Sequence, residues 1–118
     1  MISENIMSLS RRLADMKDQF TAAFVTSDQI ASYLVQGLRN FSVRIPEDVS
    51  IVSFDNLALC QQITPQLTTI SQNLVEKATC AVDILFRHLQ DKQMPAESLI
   101  LDVSLIERNS VIDRNLSV

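Results

Sequence analysis

The sequence is poor in the residues from which phosphate-binding loops and catalytic sites are built. Its 118 residues include one glycine, Gly37, one histidine and no tryptophan. Phosphate-binding loops need several glycines, because the backbone must turn tightly and approach the phosphate closely. This scarcity excludes a P-loop or a dinucleotide-binding turn, and we expect no cofactor.

Cysteine and clustered basic charge are also scarce. Cys60 and Cys80 lie far apart without a CxxC partner, so we expect two free thiols rather than a disulfide or a zinc site. The net charge is −4, and Arg11-Arg12 is the only adjacent basic pair. Because nucleic-acid-binding modules carry a basic face, any DNA contact is expected to come from a segment absent from this chain.

No apolar run reaches the roughly 18 residues that a membrane helix needs. The first ten residues, MISENIMSLS, lack the basic and apolar regions of a signal peptide. With 47% hydrophobic and 20% charged residues, the composition is that of a globular domain. We therefore expect a cytoplasmic protein without membrane contact, folded as a single domain over residues 1–118.

The first segment with a clear period is residues 2–17. Its apolar residues recur at intervals of four and three, which predicts an amphipathic helix that needs an apolar partner. The predicted face consists of Ile2, Ile6, Leu9, Leu13 and Met16.

A strand, a helix and a second strand are predicted next. Residues 22–26 form a short apolar run, as buried parallel strands do. Ser27 and Asp28 are residue types that begin helices, and the apolar spacing continues to Asn40. Residues 49–54 are rich in β-branched and aromatic residues, which favours a strand. The order is that of a βαβ unit, so the two strands are expected to be parallel.

The remaining elements complete the prediction of an α/β fold with a parallel sheet flanked by helices. Residues 55–66 are expected to form a loop or short helix, and residues 67–70 a brief extended segment. Residues 72–90 have a helical period. Residues 99–107 alternate between apolar and polar side chains, which predicts a half-exposed strand.

Polar residues follow the two parallel strands, and ligands of open α/β sheets bind beyond the carboxyl ends of strands. Ser27 and Asp28 follow the first strand, Asp55 and Asn56 the second, and Gln72 the third extended segment. Such groups can hydrogen-bond a polyol or the edge of a base. Each also has a structural alternative: Asp28 as a helix cap, Asp55 as a turn residue and Gln72 as a solvated helix start.

Catalysis is not expected. His88 is predicted on a charged helix near Arg87 and Asp91, where a solvated position is typical. Asp28 with Asp55 could form an acid–base or metal pair, but a magnesium or phosphoryl-transfer site usually has a Lys or Arg nearby, and neither strand is followed by one. We therefore predict no enzyme, no catalytic residue and no metal.

Five segments, in order and with matching spacing over residues 21–111, resemble the LacI/GalR family of transcription regulators, and its purine and ribose repressors most. The segments are TAAFVTSD at 21–28, VRIPEDVSIV at 43–52, FDN at 54–56, TPQLTTISQ at 64–72 and LIERNSV at 105–111.

The resemblance implies part of a type I periplasmic-binding-protein subdomain, which is Rossmann- or flavodoxin-like. It implies that Asp55 is the main effector-binding carboxylate, with Phe54 close to the ligand and Asn56 completing the motif. Ser27 stands where the family usually has a ligand-contacting asparagine, and Ser53 stands where it usually has a glycine. By the same resemblance, Asp28 adjoins the pocket and Gln72 contacts it at a crossover.

The resemblance further implies an incomplete effector-binding and dimerisation domain, because the helix-turn-helix headpiece and most of the other subdomain are absent. The expected function is to sense a sugar, nucleoside or base in a homodimeric regulator that meets DNA through the absent headpiece. One alternative is a fragment of a sugar-binding transport protein of the same fold, and another is a small flavodoxin-like enzyme. The helix at 72–90 is expected to dock on its own sheet or on a second copy, since it would otherwise expose apolar surface.

Overall fold

The computed structural model describes residues 2–115, and side chains from residue 4 onward. Its helices are α1 (Ile2–Asp15), α2 (Asp28–Asn40), α3 (Leu59–Gln62) and α4 (Leu74–Gln90), with a 3₁₀ turn at Lys17–Gln19. Its strands are β1 (Ala22–Phe24), β2 (Ser50–Phe54), β3 (Thr68–Ser71) and β4 (Ser104–Ile106). The residues cluster in two compact units. Unit 1 runs to Ser71 and resumes at Leu105, and unit 2 is Gln72–Ser104. That the chain is a single domain stays a prediction.

The four strands form one sheet in the order β1-β2-β3-β4. β1 and β2 are parallel, with Ala23 opposite Ile51, and β2 and β3 are parallel, with Ser53 opposite Thr69. Since α2 connects β1 to β2, the predicted βαβ unit is confirmed.

The segment after β4 enters the sheet at Ser110, a fully buried residue. Ser110 Oγ donates to the carbonyl of Ile51 at 2.6 Å and accepts from the amide of Thr68 at 2.8 Å. The carbonyl of Ser110 accepts from the amide of Ile51 at 2.8 Å. Ser110 therefore bridges β2 and β3 at the amino-terminal end of the stretch over which these strands pair directly.

The core of unit 1 lies between α2 and one face of the sheet. Apolar side chains of α2 recur at helical spacing and pack on those of β2 and the connections around it. The buried members are Ala31, Leu34, Val35, Leu38, Val43, Ile45, Val49, Ile51, Cys60 and Leu67.

Helix α1 packs closely on α2 at the only glycine. A Cβ on Gly37 would lie 2.7 Å from Ser10 Cβ, a distance that real Cβ atoms essentially never show. The buried hydroxyl of Ser10 donates to the carbonyl of Ile6 at 2.7 Å and so needs no partner on α2. The predicted helix is confirmed, but its predicted face was partly wrong. Leu9 and Met16 are exposed, and the covered positions are Ile6, Ser10, Leu13 and Ala14. The side chain of Ile2 lies outside the described residues.

The opposite face of the sheet is more open. Side chains alternate along a strand, so Phe24, Val52, Phe54 and Ile70 point away from α2. Phe24 is 60% exposed, and the other three are only half-buried. Among the described residues of unit 1, helices cover one face of the sheet well and the other poorly.

Unit 2 consists of α4 and the irregular segment that follows it. Asn73 caps α4, because its side chain accepts from the amide of Glu76 at 3.3 Å and donates to the carboxylate of Glu76 at 3.0 Å. No residue of α4 is buried, and most of its apolar side chains are exposed. The expectation that α4 docks on the sheet of its own chain or on a second copy stays a prediction.

The predicted strand at 99–107 was wrong over most of its length, because only Ser104–Ile106 pair with the sheet. A strand needs a neighbour for its backbone hydrogen bonds. Residues 99–103 have none in the described chain, and Ile100 is 93% exposed.

The helices of residues 2–115 include none with the length and the apolar character needed to span a membrane.

Candidate functional site

The polar residues that follow β1 and β2 meet at the carboxyl edge of the sheet. β1 ends at Phe24, and the amide of Val25 still bonds the carbonyl of Val52 at 2.8 Å. Ser27, the residue before α2, is half-buried, and its side chain makes no capping hydrogen bond. Its hydroxyl therefore lies at this edge and does not cap the helix.

Asp28 is fully buried and hydrogen-bonded on both carboxylate oxygens. Oδ1 accepts from the hydroxyl of Ser53 at 2.5 Å and from that of Thr69 at 2.6 Å. Oδ2 accepts from the amide of Leu57 at 2.7 Å. The thiol of Cys60 also donates to this carboxylate. Asp28 therefore connects α2 to β2, to β3 and to the loop after β2, and does not cap its own helix.

These contacts set the ionisation of the two buried groups. Burial raises the pKa of the Asp28 carboxyl, but hydrogen bonds from Ser53, Thr69, Leu57 and Cys60 outweigh it and lower this pKa below 3.8. For the Cys60 thiol, burial and the bond to the Asp28 carboxylate raise the pKa to about 12. The pair is thus a buried carboxylate and a neutral thiol. Cys60 and Cys80 are both free cysteines, which confirms the prediction of two thiols.

Asp55 and Asn56 form a tight turn immediately after β2. Their φ angles are 118° and 57°, in the left-handed region that Asn and Asp enter more easily than other non-glycine residues. The amide of Asp55 donates to the carbonyl of Ile70 at 2.9 Å, and the amide of Leu57 is held by Asp28. The turn is therefore fixed on both sides, and both side chains are half-buried at the carboxyl edge.

Arg108 holds the far side of this turn. Its Nη2 donates to Asn56 Oδ1 at 2.8 Å, and its Nη1 donates to the carbonyl of Leu67 at 2.8 Å. Its backbone amide donates to the hydroxyl of Thr68 at 2.9 Å. The guanidinium thus links the start of β3 to the loop after β2.

The other two predicted site residues differ in placement. Phe54 ends β2 on the face of the sheet away from α2 and is half-buried. Gln72 begins unit 2, where its Oε1 accepts from Lys77 Nζ at 2.9 Å. The structure therefore gathers Ser27, Asp28, Asp55 and Asn56 at one edge of unit 1, with Phe54 beside them, and Gln72 belongs to the other unit.

A cavity of about 530 Å³ lies away from this site. Residues 42–45, which precede β2, line it with residues 64–65, which precede β3, so it opens at the amino edge of the sheet. Among the described residues, no cluster of three His, Cys, Asp or Glu could hold a metal ion. The carboxyl edge thus presents groups that can form hydrogen bonds.

Three residues of the site were not predicted as such from the sequence: Ser53, Thr69 and Arg108. Ser53 and Thr69 lie opposite each other on β2 and β3, and both point toward α2. Strand alternation could have identified both as hydroxyls on the core face. Arg108 had no local signal, because its partners are 41 and 52 positions earlier in the chain.

Comparison with known proteins places this arrangement among effector-binding domains. A family model described as periplasmic binding protein-like domain matches residues 2–111. The "HTH-type transcriptional repressor PurR" of Photobacterium profundum is 31% identical over 95% of this chain, which spans 34% of that repressor. The chain thus spans about a third of the length of this curated relative.

Two solved structures have the same fold. A LacI family transcriptional regulator from Enterococcus faecium with bound ribose superposes with a TM-score of 0.81 at 30% identity, over 92% of this chain and 40% of the regulator. The transcription regulator CcpA of Lactococcus lactis superposes with a TM-score of 0.82 at 27% identity, over 93% of this chain and 40% of CcpA. The predicted fold class is confirmed by these matches.

Proposed function

This chain belongs to the periplasmic binding protein-like domain family as found in LacI-type regulators, and we propose that it is one wall of the effector pocket of such a regulator. The relatives are transcriptional repressors and not enzymes. The proposed activity is therefore binding and signalling.

The turn at Asp55 and Asn56 carries this proposal. Ligands of open α/β sheets bind beyond the carboxyl ends of the strands, and this turn lies there, fixed by Asp28 on one side and Arg108 on the other. Asp55 offers a carboxylate that can accept from a hydroxyl or an N–H group. Ser27, Asn56 and Phe54 lie at or beside the same edge and would add a hydroxyl, an amide and an aromatic ring.

Asp28 enters the proposal in a supporting role. Its carboxylate is fully buried and engaged by protein donors on both oxygens. A ligand would reach it only by displacing those donors. We infer that Asp28 positions the turn from behind, whereas Asp55 contacts the effector. Gln72 stays a predicted effector contact.

The proposed effector is a sugar, or a nucleoside or purine base. The Enterococcus faecium regulator holds ribose, and the Photobacterium profundum relative is a PurR repressor. In a sugar, neighbouring hydroxyls can bond to the carboxylate and amide together, and a base edge offers donors and acceptors at similar spacing.

The proposed partners follow from family membership and from exposed apolar surface. We infer a cytoplasmic homodimer that meets DNA through a headpiece outside this chain. Exposed side chains of α4, such as Val75, Leu85 and Leu89, support a covering partner, because monomers rarely expose large apolar patches. Effector binding would shift the population between two arrangements of the dimer and so change how the headpieces meet DNA. A purely monomeric species in light scattering at high protein concentration would contradict the dimer.

The test of the site is calorimetric titration of the natural gene product containing this chain with D-ribose and with hypoxanthine, a purine base. We expect saturable binding of one probe, and Asp55→Asn is expected to weaken it by about tenfold or more, because a charged acceptor is lost. Asp83→Asn, an exposed carboxylate on α4, is the matched control and should bind as the wild type does. Equal binding by the wild type and Asp55→Asn, or no binding of either probe, would contradict the proposal.

A further inference from the structure

The contact between Arg108 and Asn56 fixes which end of the Asn56 amide faces the protein. A guanidinium has only N–H donors, so the group 2.8 Å from Arg108 Nη2 must be the oxygen Oδ1. Nη1 of the same guanidinium is anchored on the carbonyl of Leu67. Arg108 is therefore held in place independently of Asn56, and it imposes one orientation on the amide.

The nitrogen of this amide is consequently directed elsewhere. Among the described residues, Asn56 makes one side-chain hydrogen bond, through Oδ1. Every buried side-chain nitrogen of the described residues has a hydrogen-bond partner. Because Nδ2 makes no such bond, it is not buried and reaches solvent. Asn56 directly follows Asp55, and both are held in left-handed backbone conformations. The N–H donor of Asn56 and the carboxylate of Asp55 thus belong to adjacent residues of one turn at the carboxyl edge of the sheet.

We propose that Arg108 is a specificity-determining positioning residue that locks Asn56 as a donor beside the Asp55 acceptor. The pair selects a ligand in which a hydroxyl or N–H donor adjoins an atom that can only accept. The ring oxygen of a cyclic sugar and an unprotonated ring nitrogen of a purine are both such atoms. This inference rests on the proposed function and defines the ligand chemistry of the same site.

If Arg108 had a purely structural role, substitutions at position 56 would have a different effect on binding. If the guanidinium only tied the loop to β3, any oxygen at position 56 would serve equally well. Asn56→Asp supplies such an oxygen and keeps the contact with Arg108 as an ion pair. It removes the N–H donor and replaces it with a second acceptor. The substitution therefore separates the donor function of Asn56 from the structural contact.

The experiment measures ligand affinity and unfolding midpoint together on the natural gene product. D-ribose and hypoxanthine are the probes in separate titrations, which distinguishes a sugar from a base as the source of the acceptor atom. Asn56→Asp is expected to weaken binding of the recognised probe by about tenfold or more without lowering the unfolding midpoint. Gln36→Glu, which adds the same charge at an exposed position of α2, is the control and should bind as the wild type does.

Two variants of Arg108 complete the test. Arg108→Met releases the amide and should weaken binding, whereas Arg108→Lys keeps a donor and should restore part of the affinity. Wild-type affinity in Asn56→Asp overturns the inference and leaves the proposed function intact. Absence of binding by the wild-type protein to either probe overturns the proposed function and this inference with it.

Discussion

The carboxylate of Asp28 accepts a hydrogen bond from the hydroxyl of Thr69 at 2.6 Å, although the two residues are 41 positions apart. The bond joins the first residue of α2 to the middle of β3. Ser53, the residue opposite Thr69 on β2, donates to the same oxygen. One buried oxygen therefore fixes the position of a helix against two neighbouring strands, close to the turn that carries Asp55.

Asp28→Asn is expected to lower the free energy of unfolding by about 2–4 kcal/mol, because hydrogen bonds to a charged group are lost. The amide nitrogen of the variant would also face a donor, either the hydroxyls on one side or the Leu57 amide on the other. Urea denaturation of the 118-residue chain measures the change. Asp83→Asn, exposed on α4, should stay within about 0.5 kcal/mol of the wild type. If Asp28→Asn changed the free energy of unfolding by a similarly small amount, the buried carboxylate would not be a major source of stability.

The lowered pKa of Asp28 gives stability a defined pH dependence. The folded-state pKa lies below the ordinary 3.8, so the stabilisation is fully present above that value. It is lost as the pH falls below 3.8 toward the folded-state pKa. The stability difference between the wild type and Asp28→Asn should therefore narrow in that range, as measured by urea midpoints from about pH 6 to about pH 3.

A difference that stayed constant with pH would contradict this dependence. Other acid-sensitive groups cancel in the comparison, because both proteins contain them. Asp48 is one of them, since hydrogen bonds from Arg44 lower the pKa of its carboxyl.

Gly37→Ala tests the contact between α1 and α2. In an open helix this substitution stabilises by about 1 kcal/mol, because alanine is the better helix former. Here the added Cβ would lie 2.7 Å from Ser10 Cβ, so we expect a loss of about 1–3 kcal/mol instead. Ser10→Gly combined with Gly37→Ala should recover part of the loss. A gain in thermal stability for the single variant would mean that α1 does not pack here in solution.

The two cysteines should differ in reactivity. Cys60 is fully buried, and a thiol with a pKa of about 12 has roughly one thiolate in ten thousand at about pH 8. Iodoacetamide should therefore modify the half-buried Cys80 first in the native protein, and both cysteines in denaturant. Peptide mass spectrometry gives the site. Rapid labelling of Cys60 under native conditions would show that the Asp28 cluster opens readily.

The elements with a strong local period could be predicted from the sequence. The helices at 2–15, 28–40 and 74–90 and the strands around Ile51 and Ile70 were expected within a few residues. The strand at 99–107 could not be assigned reliably, because alternation describes a surface that needs a neighbour, and only Ser104–Ile106 find one. The tight approach at Gly37 also depends on a residue of another helix, Ser10, that no local pattern identifies.

The site could be predicted in location more than in detail. The rule of strand ends brings Ser27, Asp28, Asp55 and Asn56 to one edge, and the structure places them there. The sequence does not indicate which of these groups face solvent. Whether Asp28 is a contact or a support depends on Thr69 and Ser53, and the orientation of Asn56 depends on Arg108.

The bridge made by Ser110 has a consequence for the order in which the chain assembles. Until residue 110 has been synthesised, the amides of Ile51 and Thr68 lack their native acceptors, since Ser110 supplies both. A nascent chain ending before that point would leave these backbone amides of β2 and β3 without partners in a half-open gap. Unpaired strand edges of this kind recruit other chains. Truncation before Ser110 should consequently produce an aggregating species, so the last segment of the sheet also protects the strands made before it.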